Sequence, residues 1–136
     1  MTQEEQITFE IAKKLKEKGF REKCFAYYDD DSIEYNHESK MFNCELFMSH
    51  NSYDNIWHRD YIDAPTISQV LKWLREEKEL HIEIYMYHNC YLFEIYNTKI
   101  YDVDFTQKSE KYSEIEYENY EQAALAGIEY VLDNLI

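Results

Sequence analysis

The sequence predicts an α+β fold: three helices and an antiparallel sheet in the order α-βββ-α-βββ-α, with the helices mainly on one face of the sheet. Three observations lead there. Apolar residues recur at helical spacing in three separated stretches, the runs between them alternate with a period of two, and short polar reversals join those runs. At 136 residues the chain fits a single α+β domain spanning 1–136, large enough to bury about two thirds of the surface its unfolded form exposes.

The first helix is expected from about Gln3 to Lys18. Ile7, Ile11 and Leu15 fall at four-residue spacing with Ala12 beside them, Glu4 and Glu5 precede Lys13, Lys14, Lys16 and Lys18 in the order the helix dipole favours, and Gly19 is placed to end it. Cys24 to Tyr28 then reads as a strand, Asp29 to Ser32 as a turn, and Ile33 to Asn36 as its return. Phe42, Cys44, Leu46 and Met48 alternate with Asn43, Glu45 and Phe47 as a third strand, and Ser49 to Ala64 reads as a long loop.

Pro65 and Thr66, the latter as N-cap, open a second helix whose core stripe is Ile67, Val70, Leu71 and Leu74. Leu80, Ile82, Ile84 and Met86 alternate with His81, Glu83, Tyr85 and Tyr87. His88-Asn89 reverses the chain into Tyr91, Phe93 and Ile95, and a second reversal at Asn97-Thr98 leads into Tyr101, Val103 and Phe105. A polar linker from Thr106 to Glu118 precedes the last helix. Asn119 caps that helix with Gln122 as capping-box partner; Tyr120, Ala124, Ile128, Val131 and Leu135 form its buried face, and Ala123 with Gly127 makes one side narrow enough for close packing. The helix-plus-three-strand pattern occurs twice, and Ile11 to Glu17 stays in step with Val70 to Glu76, a pattern that internal duplication would produce.

Fourteen tyrosines and 45% hydrophobic residues sit beside a net charge of -14. An aromatic content of 17% excludes a disordered polyanion, because such chains lack the residues that offset ordering entropy. The acid is unevenly spread: residues 24–64 carry nine acids against two bases, and 109–136 seven against one. That surface repels nucleic acid, so direct nucleic-acid binding is not expected. No apolar stretch approaches the roughly 20 residues of a membrane span, and no secretory signal is expected at the start, so the expected location is cytoplasmic. Cys24, Cys44 and Cys90 are odd in number and widely spaced, as reduced thiols of that compartment would be.

Two glycines in the chain cannot build a G-x-G-x-x-G loop, a Walker A cradle or a G-x-S-x-G elbow. Of the five histidines, His37, His50, His58, His81 and His88, none has H-E-x-x-H spacing. His81, His88 and Cys90 make only a loose grouping without a fourth ligand. Asp29 with Asp31, and Asp102 with Asp104, are paired carboxylates. The second pair shares a strand face and gives a metal-dependent enzyme reading, with His81 or His88 as acid-base partner, but such pairs also arise by chance in so acidic a chain. Glu38-Ser39-Lys40 downstream of Asp29 to Asp31 has the acids and lysine of a nuclease pattern on a segment of the wrong sign to hold a polyanion. The expectation is therefore no enzyme, no cofactor and no metal.

Tyr85 and Tyr87 share the face of His81 and Glu83, opposite the aliphatic stripe. Glu83, Tyr85 and Tyr87, with Asp102 and Asp104, form the candidate protein-binding surface, because tyrosine supplies contact area at low entropic cost. A second reading is DNA mimicry, in which Asp29, Asp30, Asp31, Glu34, Glu114, Glu116 and Glu118 would gather on one face in place of phosphates.

Ala64 to Glu76, Ile11 to Phe20 with Cys24 to Tyr28, and Tyr120 to Gly127 resemble a group of small uncharacterised proteins encoded by phages and mobile elements of gut bacteria. The similarity covers the three helices and the first strand, about half the chain. It implies a host-cell cytoplasm as context and carries no catalytic residues. Taken with the residue reading, the expected function is that of a non-enzymatic accessory protein that binds a protein partner through an acidic, tyrosine-rich surface.

Overall fold

A computed structural model describes residues 6–29, 32–35, 61–101 and 107–136. The elements are α1 (Phe9–Glu17), β1 (Ala26–Asp29), β2 (Ser32–Tyr35), β3 (Tyr61–Asp63), α2 (Ile67–Glu77), β4 (Leu80–Tyr87), β5 (Cys90–Tyr101), β6 (Gln107–Tyr112) and α3 (Tyr120–Asn134). The class is α+β as expected; the described elements run α-βββ-α-βββ-α, but the third and sixth strands are segments for which the sequence predicts a loop and a linker. The strands form two antiparallel sheets, β2-β1-β3 and β4-β5-β6, where the sequence predicts one. Alternation and turns specify pairing between neighbours in the chain, and nothing in them joins the two groups. Residues cluster into two compact units, Met1–Thr66 and Ile67–Ile136. The sheets do not repeat one topology: the first strand is central in one and the second in the other.

In the first unit α1 begins at Phe9, later than expected. Thr8 Oγ1 accepts the Ile11 N–H at 3.3 Å and caps the helix, while Ile7 is extended and donates its N–H to the Pro65 carbonyl at 3.1 Å. The Tyr28 hydroxyl donates to the Ile7 carbonyl at 2.6 Å. Ile7 is buried like Ile11 and Leu15, so its spacing mimics a helical face although tertiary hydrogen bonds hold it outside the helix. Gly19 takes φ 91°. Its N–H donates to the Lys16 carbonyl at 3.2 Å and the Phe20 N–H to the Leu15 carbonyl at 3.0 Å, the paired bonds of a Schellman stop.

β1 and β2 close at Asp29 opposite Ser32. β3 pairs with the other side of β1, Tyr28 opposite Ile62, and packs beneath α1. Tyr61–Asp63 is thus a strand within the stretch expected as loop; three residues are too short for periodicity to register. The expected strand from Phe42 to Met48 lies outside the described residues.

The second unit follows its sequence pattern closely in the helices. Ile67, Val70, Leu71 and Leu74 are buried in α2, joined by Trp73, over whose ring Lys78 Nζ sits at 5.4 Å. In α3, Asn119 Oδ1 accepts the Gln122 N–H at 2.8 Å, and Gln122 Oε1 reaches back to the Glu118 N–H at 3.2 Å. Ala124, Ile128 and Val131 are buried as expected, with Ala123, Gly127 and Leu132. Tyr120 is exposed and Leu135 half-buried, because each lies at an end of the helix. A Cβ on Gly127 would stand 3.0 Å from Ile82 Cγ2 and 3.3 Å from Phe93 Cγ, so the missing side chain is what lets α3 meet the sheet.

The β4–β5 hairpin turns on His88 (φ 49°) and Asn89 (φ 68°), the two left-handed residues of a tight hairpin loop. Asn97-Thr98 does not reverse the chain; β5 runs through it to Tyr101. Both the Thr98 N–H and its hydroxyl donate to the Glu79 carbonyl, at 2.8 and 3.2 Å, and Lys99 Nζ meets the Glu79 carboxylate at 2.6 Å. The polar residues that read as a turn anchor the strand to the α2–β4 junction instead. β6 then occupies part of the expected linker, paired with β5 through register shifts, and the chain continues along β5: Ser113 N–H to the Phe93 carbonyl at 2.9 Å, and Tyr117 with Tyr91 in both directions. Val103 and Phe105, expected in the third strand, lie outside the described residues.

Candidate functional site

Alternation along β4 and β5 divides the second sheet into two faces. Ile82 opposite Ile95, and Ile84 opposite Phe93, point to the side on which α2 and α3 pack. The reverse side carries His81 opposite Tyr96, Glu83 opposite Glu94, Tyr85 opposite Leu92 and Tyr87 opposite Cys90. Glu94 also pairs with Tyr112 on β6, which extends the central row to Glu83–Glu94–Tyr112. Two carboxylates thus sit side by side across the sheet, framed by Tyr85, Tyr96 and Tyr112. Glu83 is exposed, and Tyr87 and Tyr112 keep 53% and 63% of their surface in solvent.

The rings feel these carboxylates. Burial first, then a hydrogen bond to Glu94, then the charges of Glu94 and Glu83 push the Tyr96 phenol up to about 12. Tyr85 is raised by burial and then by the charges of Glu94 and Glu83. Both phenols stay protonated at physiological pH and can donate to a carboxylate or a ligand. Among the described residues no base forms an ion pair with Glu83 or Glu94. Like charges placed directly opposite on a sheet repel, so this face holds negative potential that no ion pair among the described residues neutralises.

Of the surface expected from sequence, Glu83, Tyr85 and Tyr87 do share this face, while Asp102 and Asp104 lie outside the described residues. Glu94 and Tyr96 belong to the site and were legible from the strand period, since Tyr91, Phe93 and Ile95 mark the opposite side. Tyr112 was hidden in the expected linker.

His81 and His88 stand at opposite ends of β4, so the loose grouping with Cys90 does not assemble. His88 packs edge-on to Tyr87, with ring centroids 4.2 Å apart. His37, His50, His58 and Glu38-Ser39-Lys40 lie outside the described residues. Among the described residues no three His, Cys, Asp or Glu gather where a metal ion could be held. Of the acids that DNA mimicry needs on one face, Asp30 and Asp31 lie outside the described residues; Asp29 and Glu34 belong to the first unit, and Glu114, Glu116 and Glu118 to the second. Among the described residues no helix is long and apolar enough to cross a membrane.

The thiols differ. Burial, followed by the charges of Asp63 and Glu22, raises Cys24 far above the ordinary thiol range. Cys90 is raised by a hydrogen bond with Glu116, then by burial and by the charges of Glu116 and Glu118. Neither is poised as a thiolate nucleophile.

Compared with known families, curated proteins and solved structures, the chain shows no significant match to any of them.

Proposed function

We propose that this protein is a non-enzymatic accessory protein of phage or mobile-element origin that works in a host cytoplasm by binding a protein partner through the outer face of its second sheet. One observation carries the reading: the side of β4-β5-β6 away from α2 and α3 presents tyrosines around two carboxylates, and no described element packs on it. Rings of this kind give a partner large contact area with few rotamers to freeze, and their hydroxyls add hydrogen bonds at the rim. The face is continuous across three strands, as a protein interface requires.

The test is affinity capture from bacterial cytoplasm with the wild-type chain and with Tyr85→Ser/Tyr87→Ser, two changes on the outer face that leave the Ile82, Phe93 and Ile95 side intact. A partner retained by the wild type and lost by the variant supports the reading. A partner held equally by both places the interface elsewhere, and hydrolysis of nucleotides, esters or peptides abolished by one carboxylate substitution contradicts a non-enzymatic role.

A further inference from the structure

We infer that the outer face of the second sheet is built to seat an arginine side chain of a basic, extended protein segment, with the guanidinium over the Glu83–Glu94 pair and between the rings of Tyr85 and Tyr96. The inference rests on the docking-face reading and names the partner's chemistry.

The cross-strand carboxylates come first. Glu83 and Glu94 are direct neighbours across β4 and β5, and among the described residues neither has a basic partner. Elsewhere in the same unit Glu79 meets Lys99 at 2.6 Å and Glu114 meets Lys111 at 3.1 Å, while other exposed acids such as Glu76 and Glu77 form no ion pair among the described residues. What sets Glu83 and Glu94 apart is that they face each other directly across two strands and lie among aromatic rings. A cation arriving there relieves a repulsion and gains an attraction together.

The rings then select among cations. Tyr85 and Tyr96 lie diagonally across the Glu83–Glu94 row, one on each side of it, and Tyr112 ends the row. A guanidinium is planar and weakly hydrated; it can stack on a phenol face while its forked N–H groups donate to two carboxylates. A lysine ammonium is a compact, strongly hydrated point charge that loses more on leaving water and has no plane to stack. His81, opposite Tyr96, is the one titratable base on the described part of this face, and it flanks the pair without forming an ion pair with it.

Charge decides between occupants. A second copy carries -14 and would bring its own Glu83 and Glu94 against these, and nucleic acid is repelled for the same reason. A basic segment is attracted. In an extended segment every second side chain faces the sheet, so a Ser-Arg-Ser-Arg-Ser pattern presents arginines to the face and small residues away from it.

The test is calorimetric titration of the full chain with a capped Ser-Arg-Ser-Arg-Ser peptide, beside its Ser-Lys-Ser-Lys-Ser counterpart. Two charge-matched variants are compared: Glu83→Gln/Glu94→Gln on the face and Glu76→Gln/Glu77→Gln on exposed α2. The expected result is that the face variant weakens arginine-peptide binding by about tenfold or more, the helix variant by no more than about twofold, and lysine binds several times more weakly than arginine. Circular dichroism and the melting temperature confirm that both variants are folded. No binding to the wild type, equal losses in both variants, or lysine binding as tight as arginine overturns the inference. If the arginine peptide fails while captured protein is still lost with Tyr85→Ser/Tyr87→Ser, the docking face stands and only its arginine specificity falls.

Discussion

Replacing Glu83 by Gln should stabilise the isolated protein, an unusual expectation for removing a charge from a folded sheet. Glu83 and Glu94 are cross-strand partners, so their Cβ atoms stand about 5 Å apart, and opposed like charges cost about 0.2–1 kcal/mol. Gln keeps the length of Glu and one acceptor oxygen, and removes the charge that repels Glu94. For a unit the size of Ile67–Ile136, that corresponds to a rise in melting temperature of about 1–8 °C. The assay is thermal and urea unfolding at low ionic strength, repeated in 0.5 M salt, where the gain should shrink because exposed charges are screened over a few ångströms. Glu94→Gln should give a smaller gain, because its carboxylate also accepts from the Tyr96 hydroxyl, and the double variant less than the sum, since either change alone ends the repulsion. Loss of stability in Glu83→Gln, or strictly additive gains indifferent to salt, would refute the argument that the two carboxylates oppose one another.

Four further outcomes follow from the same coordinates. Because the Tyr96 phenol is raised to about 12, the folded chain keeps that proton where the unfolded chain, near 10, releases it; its contribution is whole below pH 10 and is lost from about 10 to 12. Ultraviolet titration should show a late-titrating phenol fraction that falls by one phenol in Tyr96→Phe. In a Cys44→Ser background, Cys24 should react with a thiol reagent only on unfolding, while Cys90 reacts in the native state and faster in Glu116→Gln, with the two rates read at pH 8. Gly127→Ala should gain about 1 kcal/mol of helix propensity and lose about 1–3 to crowding against Ile82 Cγ2 at 3.0 Å. The expected net is a destabilisation of up to about 2 kcal/mol by urea unfolding, and a full 1 kcal/mol gain would contradict the close approach.

Legibility differed by element for physical reasons. α2 and α3 were readable because long apolar stripes, the Asn119 cap of α3 and tertiary packing favour the same conformation. Ile7 misled because a residue four before Ile11 falls on the helical face whether or not the backbone there is helical, and its bonds to Pro65 and Tyr28, distant in sequence, hold it outside α1. Asn97-Thr98 misled similarly: turn-forming residue types were present, but their hydrogen bonds go to Glu79. Half of the candidate site followed from the β4 period alone. The rest needed pairing, since the neighbour relation of Glu83 to Glu94, and of Glu94 to Tyr112, is set by hairpin register and by bulges in β6 that residue types do not disclose.

Site-specific photo-crosslinking tests the central claim most directly. A benzophenone side chain placed at Tyr85 on the outer face, and separately at exposed Lys72 on α2 as control, is activated in bacterial cytoplasm containing the full chain. The account predicts a discrete crosslinked protein from the Tyr85 position, absent from Lys72 and reduced in a Glu83→Gln/Glu94→Gln background. Crosslinks from Lys72 alone, or none from Tyr85 while a partner is still captured, would contradict the assignment of the outer face as the binding surface.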